Sequence, residues 1–185
     1  MTKNLDKMTM TICKICEIGH WVAMVILALS GIFSVLAPQY LNKFISYDVT
    51  DGKVDLSAYG FEIIAPYSDG KIETRYFVIF SIAAVLIFTL VAMIFRNMYL
   101  ILKKSQNATP FQKDNIRMIR EIGIFSIAIP LIGYTMAWIA KLVIGIDAVE
   151  CSVDLFGVAI GLAVLCLTQF FAHGAELEKD VEGLV

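Results

Sequence analysis

Charge is what this sequence has least of. Only 17% of its 185 residues are Asp, Glu, Lys or Arg, against about 25% in soluble domains. Four stretches carry none at all: 25 residues between Glu17 and Lys43, 20 between Arg75 and Arg96, 19 between Glu121 and Lys141, and 21 between Asp154 and Glu176. Such runs exclude an ordinary soluble core, because a helix needs about 20 residues to cross roughly 30 Å of hydrocarbon. No carboxylate falls in the middle of any run, so a proton or ion relay is not advertised. Histidine is nearly missing too, with two residues, His20 and His173. There is no Ser-His-Asp arrangement, no phosphate-cradling glycine loop and no His-Glu-x-x-His, so neither catalysis nor a cofactor is expected. Four cysteines, Cys13, Cys16, Cys151 and Cys166, are too few and too scattered for a disulfide scaffold. A net charge of −2 gives no reason to expect direct nucleic-acid binding.

What is present is apolar residues, at 58%, blocked into those four runs. Irregular backbone cannot sit unpaired in lipid, so each run is expected to be helical. The expected fold is therefore an all-α integral membrane protein. It is a four-transmembrane-helix bundle in a single domain, with spans at about 18–41, 76–102, 118–144 and 155–174. The first run could be read as a signal peptide, with Lys3, Lys7 and Lys14 ahead of it and Val35-Leu36-Ala37 as a cleavage site. Pro38 directly after the cut and the length of the run argue for a retained anchor.

Lys and Arg counts set the orientation. Six of the fifteen basic residues (Arg96, Lys103, Lys104, Lys113, Arg117 and Arg120) fall between Arg96 and Glu121, against only Asp114 and Glu121. Three more precede the first span. The Gly145–Asp154 connection has none and carries Asp147, Glu150 and Asp154. This places the link at 103–117, the tail at 175–185 and both termini in the cytoplasm, and the 42–74 loop outside.

Taken in order, residues 1–17 read as a short interfacial helix. Cys13, Cys16 and His20 at i, i+3 and i+7 share one helical face. They are a candidate thiol–imidazole site for zinc or redox sensing, to which His173 could add a ligand; the competing reading is a small-residue packing face. Ser30, Gly31 and Ser34 permit close helix approach in the first span. In the outer loop, Asp51-Gly52 between Tyr47–Val49 and Val54–Leu56 predicts a β-hairpin. Phe61, Ile63 and Ile64 would add a third strand, closed by Pro66 and the Ser68-Asp69-Gly70 turn. This loop is either a ligand-sensing cap or a structured connection. After a break at Ser105–Ala108, Thr109 as N-cap, Pro110 at the first helical position and Gln112 in a capping box predict an amphipathic lead-in to the third span. Pro130 is expected to bend that span, with Trp138 and Lys141 at its outer interface. Gly133 with Ala137, and Gly157 with Gly161, are small-xxx-small pairs expected to pack helix on helix. Gly174 is expected to end or loosen the fourth span, and the acidic tail Glu176, Glu178, Asp180 and Glu182 to meet the basic link.

Two stretches carry a resemblance together. One is Thr109-Pro110-Phe111 with Asn115-Ile116-Arg117 and Ile122-Gly123. The other is Phe170-Phe171-Ala172-His173-Gly174-Ala175-Glu176-Leu177, running on to Val185. The pattern resembles a bacterial family of small four-helix membrane proteins called domain of unknown function 2975, and the likeness covers nearly the whole chain. Cys13 and Cys16 are not part of it. The resemblance implies no assigned activity; it does imply a neighbouring small helix-turn-helix regulator, and hence a membrane-linked regulatory pair.

The expectation is a multi-pass bacterial inner-membrane protein, non-enzymatic and sensory or regulatory. Its partners would be the lipid bilayer, a cytosolic regulator and, in a homo-oligomer, further copies of itself. The competing readings are a small transporter or an immunity-type membrane protein, and a thiol redox or metal protein using Cys13 and Cys16.

Overall fold

The computed structural model describes residues 2–39, 53–68, 71–106, 111–145, 149–151 and 155–182. Within them lie four helices, α1 (Thr2–Leu36), α2 (Thr74–Ser105), α3 (Lys113–Ile144) and α4 (Leu155–Glu182). All four are long and apolar enough to cross a membrane. The strands are β1 (Lys53–Ala58), β2 (Phe61–Ser68), β3 (Lys71–Ile72) and β4 (Val149–Cys151). The amino-terminal segment expected as a separate interfacial helix is continuous with the first span, since nothing in Thr2–Leu36 breaks the i to i+4 ladder and no proline intervenes. At 32 residues, α2 and α3 are each about 48 Å long, well beyond a hydrocarbon core. Pro130 is accommodated inside α3 without ending it.

The chain divides into two compact units. The first comprises Met1–His20, Leu90–Ala128 and Leu155–Val185. Its helices meet through glycine: a Cβ added at Gly161 would lie 2.8 Å from the Gly123 carbonyl oxygen, and one added at Gly123 would lie 3.0 Å from that of Gly161. The α3 and α4 backbones therefore approach closely, and any larger residue would push them apart. Asn97 and Asn115 are buried in this unit. The Asn97 amide donates to the Glu121 carboxylate at 3.0 Å, and the Asn115 amide donates to the Ser105 hydroxyl at 3.4 Å.

The second unit comprises Trp21–Thr89 and Ile129–Asp154. Here the helices meet a small antiparallel sheet. The β1–β2 hairpin turns on Tyr59-Gly60, both with positive φ (47° and 84°), as a two-residue turn matched to strand twist requires. The register sets Val54 opposite Ala65, Leu56 opposite Ile63 and Ala58 opposite Phe61. All of these but Leu56 are buried, so period-2 alternation turns one face of the hairpin inward. Phe61 lies 6.4 Å from Phe80 of α2 in a stacked pair, and Tyr59 meets Phe88 edge-on at 5.7 Å. On α2, Tyr76, Phe77, Phe80, Ala83, Ala84 and Ile87 form the buried stripe, while Ile82 and Leu86 are exposed.

One expectation about the loop changes, one lies outside the described residues, and one pairing is new. The Asp51-Gly52 turn and its first strand lie outside the described residues; the described hairpin turns at Tyr59-Gly60 and pairs the strand holding Val54–Leu56 with the expected strand at Phe61, Ile63 and Ile64. Pro66 does not close its strand; it sits inside β2 opposite Lys53, at the last β1 pair, where a missing N–H costs least. Finally, β4 pairs with Phe61–Ile63, a stretch that β1 also pairs, so β2 is hydrogen-bonded on both sides there. The sheet thus ties the first loop to the connection between α3 and α4.

Candidate functional site

The link between α2 and α3 is built around a phenylalanine kept out of the helix. The Gln112 carbonyl accepts the Ile116 N–H at 3.1 Å, so Gln112 caps α3, which starts at Lys113. Thr109 and Pro110, the residues expected to cap it, lie outside the described residues. Freed from the helix, the Phe111 ring lies 5.7 Å from that of Phe171 on α4. It also covers Gly174, where a Cβ would come within 2.8 Å of the Phe111 Cε1 atom. Gly174 therefore does not end the helix. It stays helical to Glu182, and its missing side chain makes room for the ring. The two stretches that carry the family resemblance touch each other here.

The basic residues around this contact are mostly exposed. Lys104 pairs with Asp114 at 2.7 Å and Arg117 with Glu121 at 3.4 Å, so the link's own two acids hold its described ion pairs. Lys113 and Arg120 are exposed. On the tail, His173 Nδ1 lies 3.4 Å from Glu176, one turn along the same helix. The side chain of Glu182 lies outside the described residues, and the described ion pairs of Glu176 and Asp114 do not cross between tail and link. A contact described between α4 and the link is thus an aromatic ring seated over a glycine.

Cys13, Cys16 and His20 do share a face of α1, but they do not converge as ligands. Cys13 is buried and Cys16 is half-buried. The His20 Nδ1 lies 2.7 Å from the Cys16 carbonyl oxygen; a carbonyl only accepts, so that nitrogen carries the proton. The ring itself leans on Phe95 at 5.4 Å. Among the described residues no three His, Cys, Asp or Glu side chains come together as a metal site. His173 is engaged on α4.

A neighbouring cluster between α1 and α2 was not foreseen. Lys14 pairs with Glu17 at 2.9 Å, and the Glu17 carboxylate is largely buried. The ammonium groups of Lys14 and Lys103 lie 5.2 Å and 5.8 Å from the centre of one ring, that of Tyr99. Arg96, Tyr99 and Lys103 follow the i, i+3, i+7 spacing, so they share one face of α2. That spacing was legible; the partner helix that supplies Lys14 was not.

Of the residues expected to pack helix on helix, Gly161 does so, but against Gly123. Gly157 is half-buried. Gly133 and Ala137 line a buried face of α3 that receives the sheet: the neighbour nearest to a Cβ at Gly133 is Phe61, at 3.7 Å. The second unit also has an apolar groove of about 460 Å³ between α1 and α2, lined in part by Gly31, Ile32, Ser81, Ile82 and Val85. The Ser81 hydroxyl there is spent on the Phe77 carbonyl at 2.7 Å. The groove therefore lacks the placed polar groups that orient a specific ligand.

Comparison with protein-family models, with curated proteins and with solved structures gives no match.

Proposed function

We propose that the chain is a multi-pass protein of the bacterial inner membrane, with both termini and the basic link in the cytoplasm, and that it works as a non-enzymatic sensory or regulatory component. The sheet is its outward surface. The link and the end of α4 are its inward one, and a small helix-turn-helix regulator is the partner that the family resemblance implies.

The observation that carries this reading is the seat of Phe111 on Gly174 and Phe171. It fastens the basic link to the end of α4, so that Lys113, Arg117 and Arg120 are presented on an ordered helix and not on a loose loop. Ordered exposed cations recognise an acidic protein surface and accelerate its encounter. The reading also accommodates the sheet, whose β2–β4 pairing couples both loops on the other side. A change at that sheet would reach α3 through Phe61 and Gly133.

The test uses the protein in lipid nanodiscs and the purified regulator encoded beside its gene. Binding is expected to weaken at least tenfold in a Lys113→Glu, Arg117→Glu, Arg120→Glu variant and to survive Glu176→Gln. Binding that ignores the charge reversal, or no binding at all, would refute the regulatory reading.

A further inference from the structure

We infer that Lys14, Tyr99, Lys103 and Arg96 form a binding site for the phosphodiester headgroup of an anionic phospholipid. The inference rests on the reading that α1 and α2 cross the bilayer.

The argument starts from charge. Lys14 and Lys103 converge on the single ring of Tyr99, and an aromatic face attracts ammonium groups but cannot neutralise them. Glu17, buried and 2.9 Å from Lys14, offsets one positive charge and fixes that side chain in place. It is a positioning residue. Lys103 and Arg96 are exposed and have no carboxylate partner among the described residues. With Lys14 and Lys103 on the tyrosine and Arg96 on the same face of α2, the cluster holds an excess of two cations, which suits an anion with several acceptor oxygens.

The surroundings decide what kind of anion. Arg96 directly ends the uncharged run of α2, and Lys14 stands four residues before the uncharged run of α1. The exposed neighbours are apolar: Ile15 is 64% exposed, Ile18 52% and Met98 37%. A soluble acidic protein would have to cover these side chains with charged surface. A lipid meets both demands at once, placing its phosphate on the cations and its acyl chains on the isoleucines. A tyrosine at this level is also the residue expected where headgroup meets hydrocarbon. Juxtamembrane cations strengthen binding to anionic lipid by about fivefold each.

The experiment is native mass spectrometry of the detergent-purified protein titrated with phosphatidylglycerol or phosphatidylcholine. The wild-type protein is expected to retain phosphatidylglycerol in preference to phosphatidylcholine. Arg96→Gln with Lys103→Gln should weaken that retention about twentyfold. Lys113→Gln with Arg117→Gln removes equal charge elsewhere on the link and should change it less than twofold. Equal losses in the two double variants would mean diffuse attraction and would overturn the site, as would no loss in the first. Displacement of the lipid by millimolar inorganic phosphate would reassign the cluster to a free anion and overturn the lipid assignment. The exposed positions make misfolding a minor concern, and unchanged helical circular dichroism checks it. Carbonate extraction of membranes tests the underlying reading separately: protein released by the wash would refute the membrane crossing whatever the lipid titration gives.

Discussion

In the unit made of Met1–His20, Leu90–Ala128 and Leu155–Val185, helix meets helix through bare backbone and buried amides. In the unit made of Trp21–Thr89 and Ile129–Asp154, helix meets sheet through large rings and small side chains. Glycine shows the difference best. At Gly161 an added methyl would strike the Gly123 carbonyl, a rigid obstacle. At Gly133 the same methyl would rest 3.7 Å from the Phe61 side chain, an ordinary contact. Gly161 thus sets a backbone distance between two helices, and Gly133 only leaves space for a side chain. Close backbone approach is how helices associate where apolar burial gives no advantage over lipid. Aromatic packing of a sheet is the means used where a protein builds a core of its own.

Substitutions at both kinds of site test that contrast, each read as thermal unfolding of the protein in detergent micelles. The largest effect is expected at Phe61→Ala, which empties the centre of the sheet–helix core and should cost about 4 kcal/mol. Gly161→Ala should follow, at about 2 kcal/mol, because the clash is with backbone and the helices must separate. Asn97→Ala removes the amide that meets Glu121 and should cost about 1 kcal/mol, reduced by the Arg117 pairing that Glu121 keeps. Gly133→Ala should be the mildest. It gains about 0.8 kcal/mol of helix propensity against a tolerable contact and should leave stability unchanged or slightly raised. If Gly133→Ala proved as damaging as Gly161→Ala, the two units would not differ in the way described. If Phe61→Ala proved mild, the sheet would not be a core element.

Much of this fold was legible because its signals are local. The four uncharged runs gave the helices, since length in apolar residues is a property of one segment. The Pro-Phe motif placed the link, though not the helix start, because Phe111 is drawn out by Gly174 and Phe171, sixty residues away. The strands at Val54–Leu56 and at Phe61, Ile63 and Ile64 could be seen, but the Tyr59-Gly60 turn that joins them could not. A non-glycine residue at positive φ is held there by the register of buried partners, which no turn motif records. β4 is three residues long, too short for any periodicity. Gly123 and Gly161 find each other across helices, as do Lys14 and Tyr99, and single-helix patterns are silent on such pairs. For the same reason the seating of Phe111 against Phe171 and Gly174 could not be read from the charges of the tail and the link.

The most direct test of the account is the side of the membrane on which each surface lies. In a background with Cys13, Cys16, Cys151 and Cys166 replaced by serine, Ser57→Cys, Gln106→Cys and Lys179→Cys can each be probed with a membrane-impermeant maleimide in intact, outer-membrane-permeabilised cells. The expected result is labelling of Ser57→Cys at once, and of Gln106→Cys and Lys179→Cys only after the inner membrane is opened. Labelling of Gln106→Cys in intact cells would contradict the account, because the basic link would then face outward and the sheet inward.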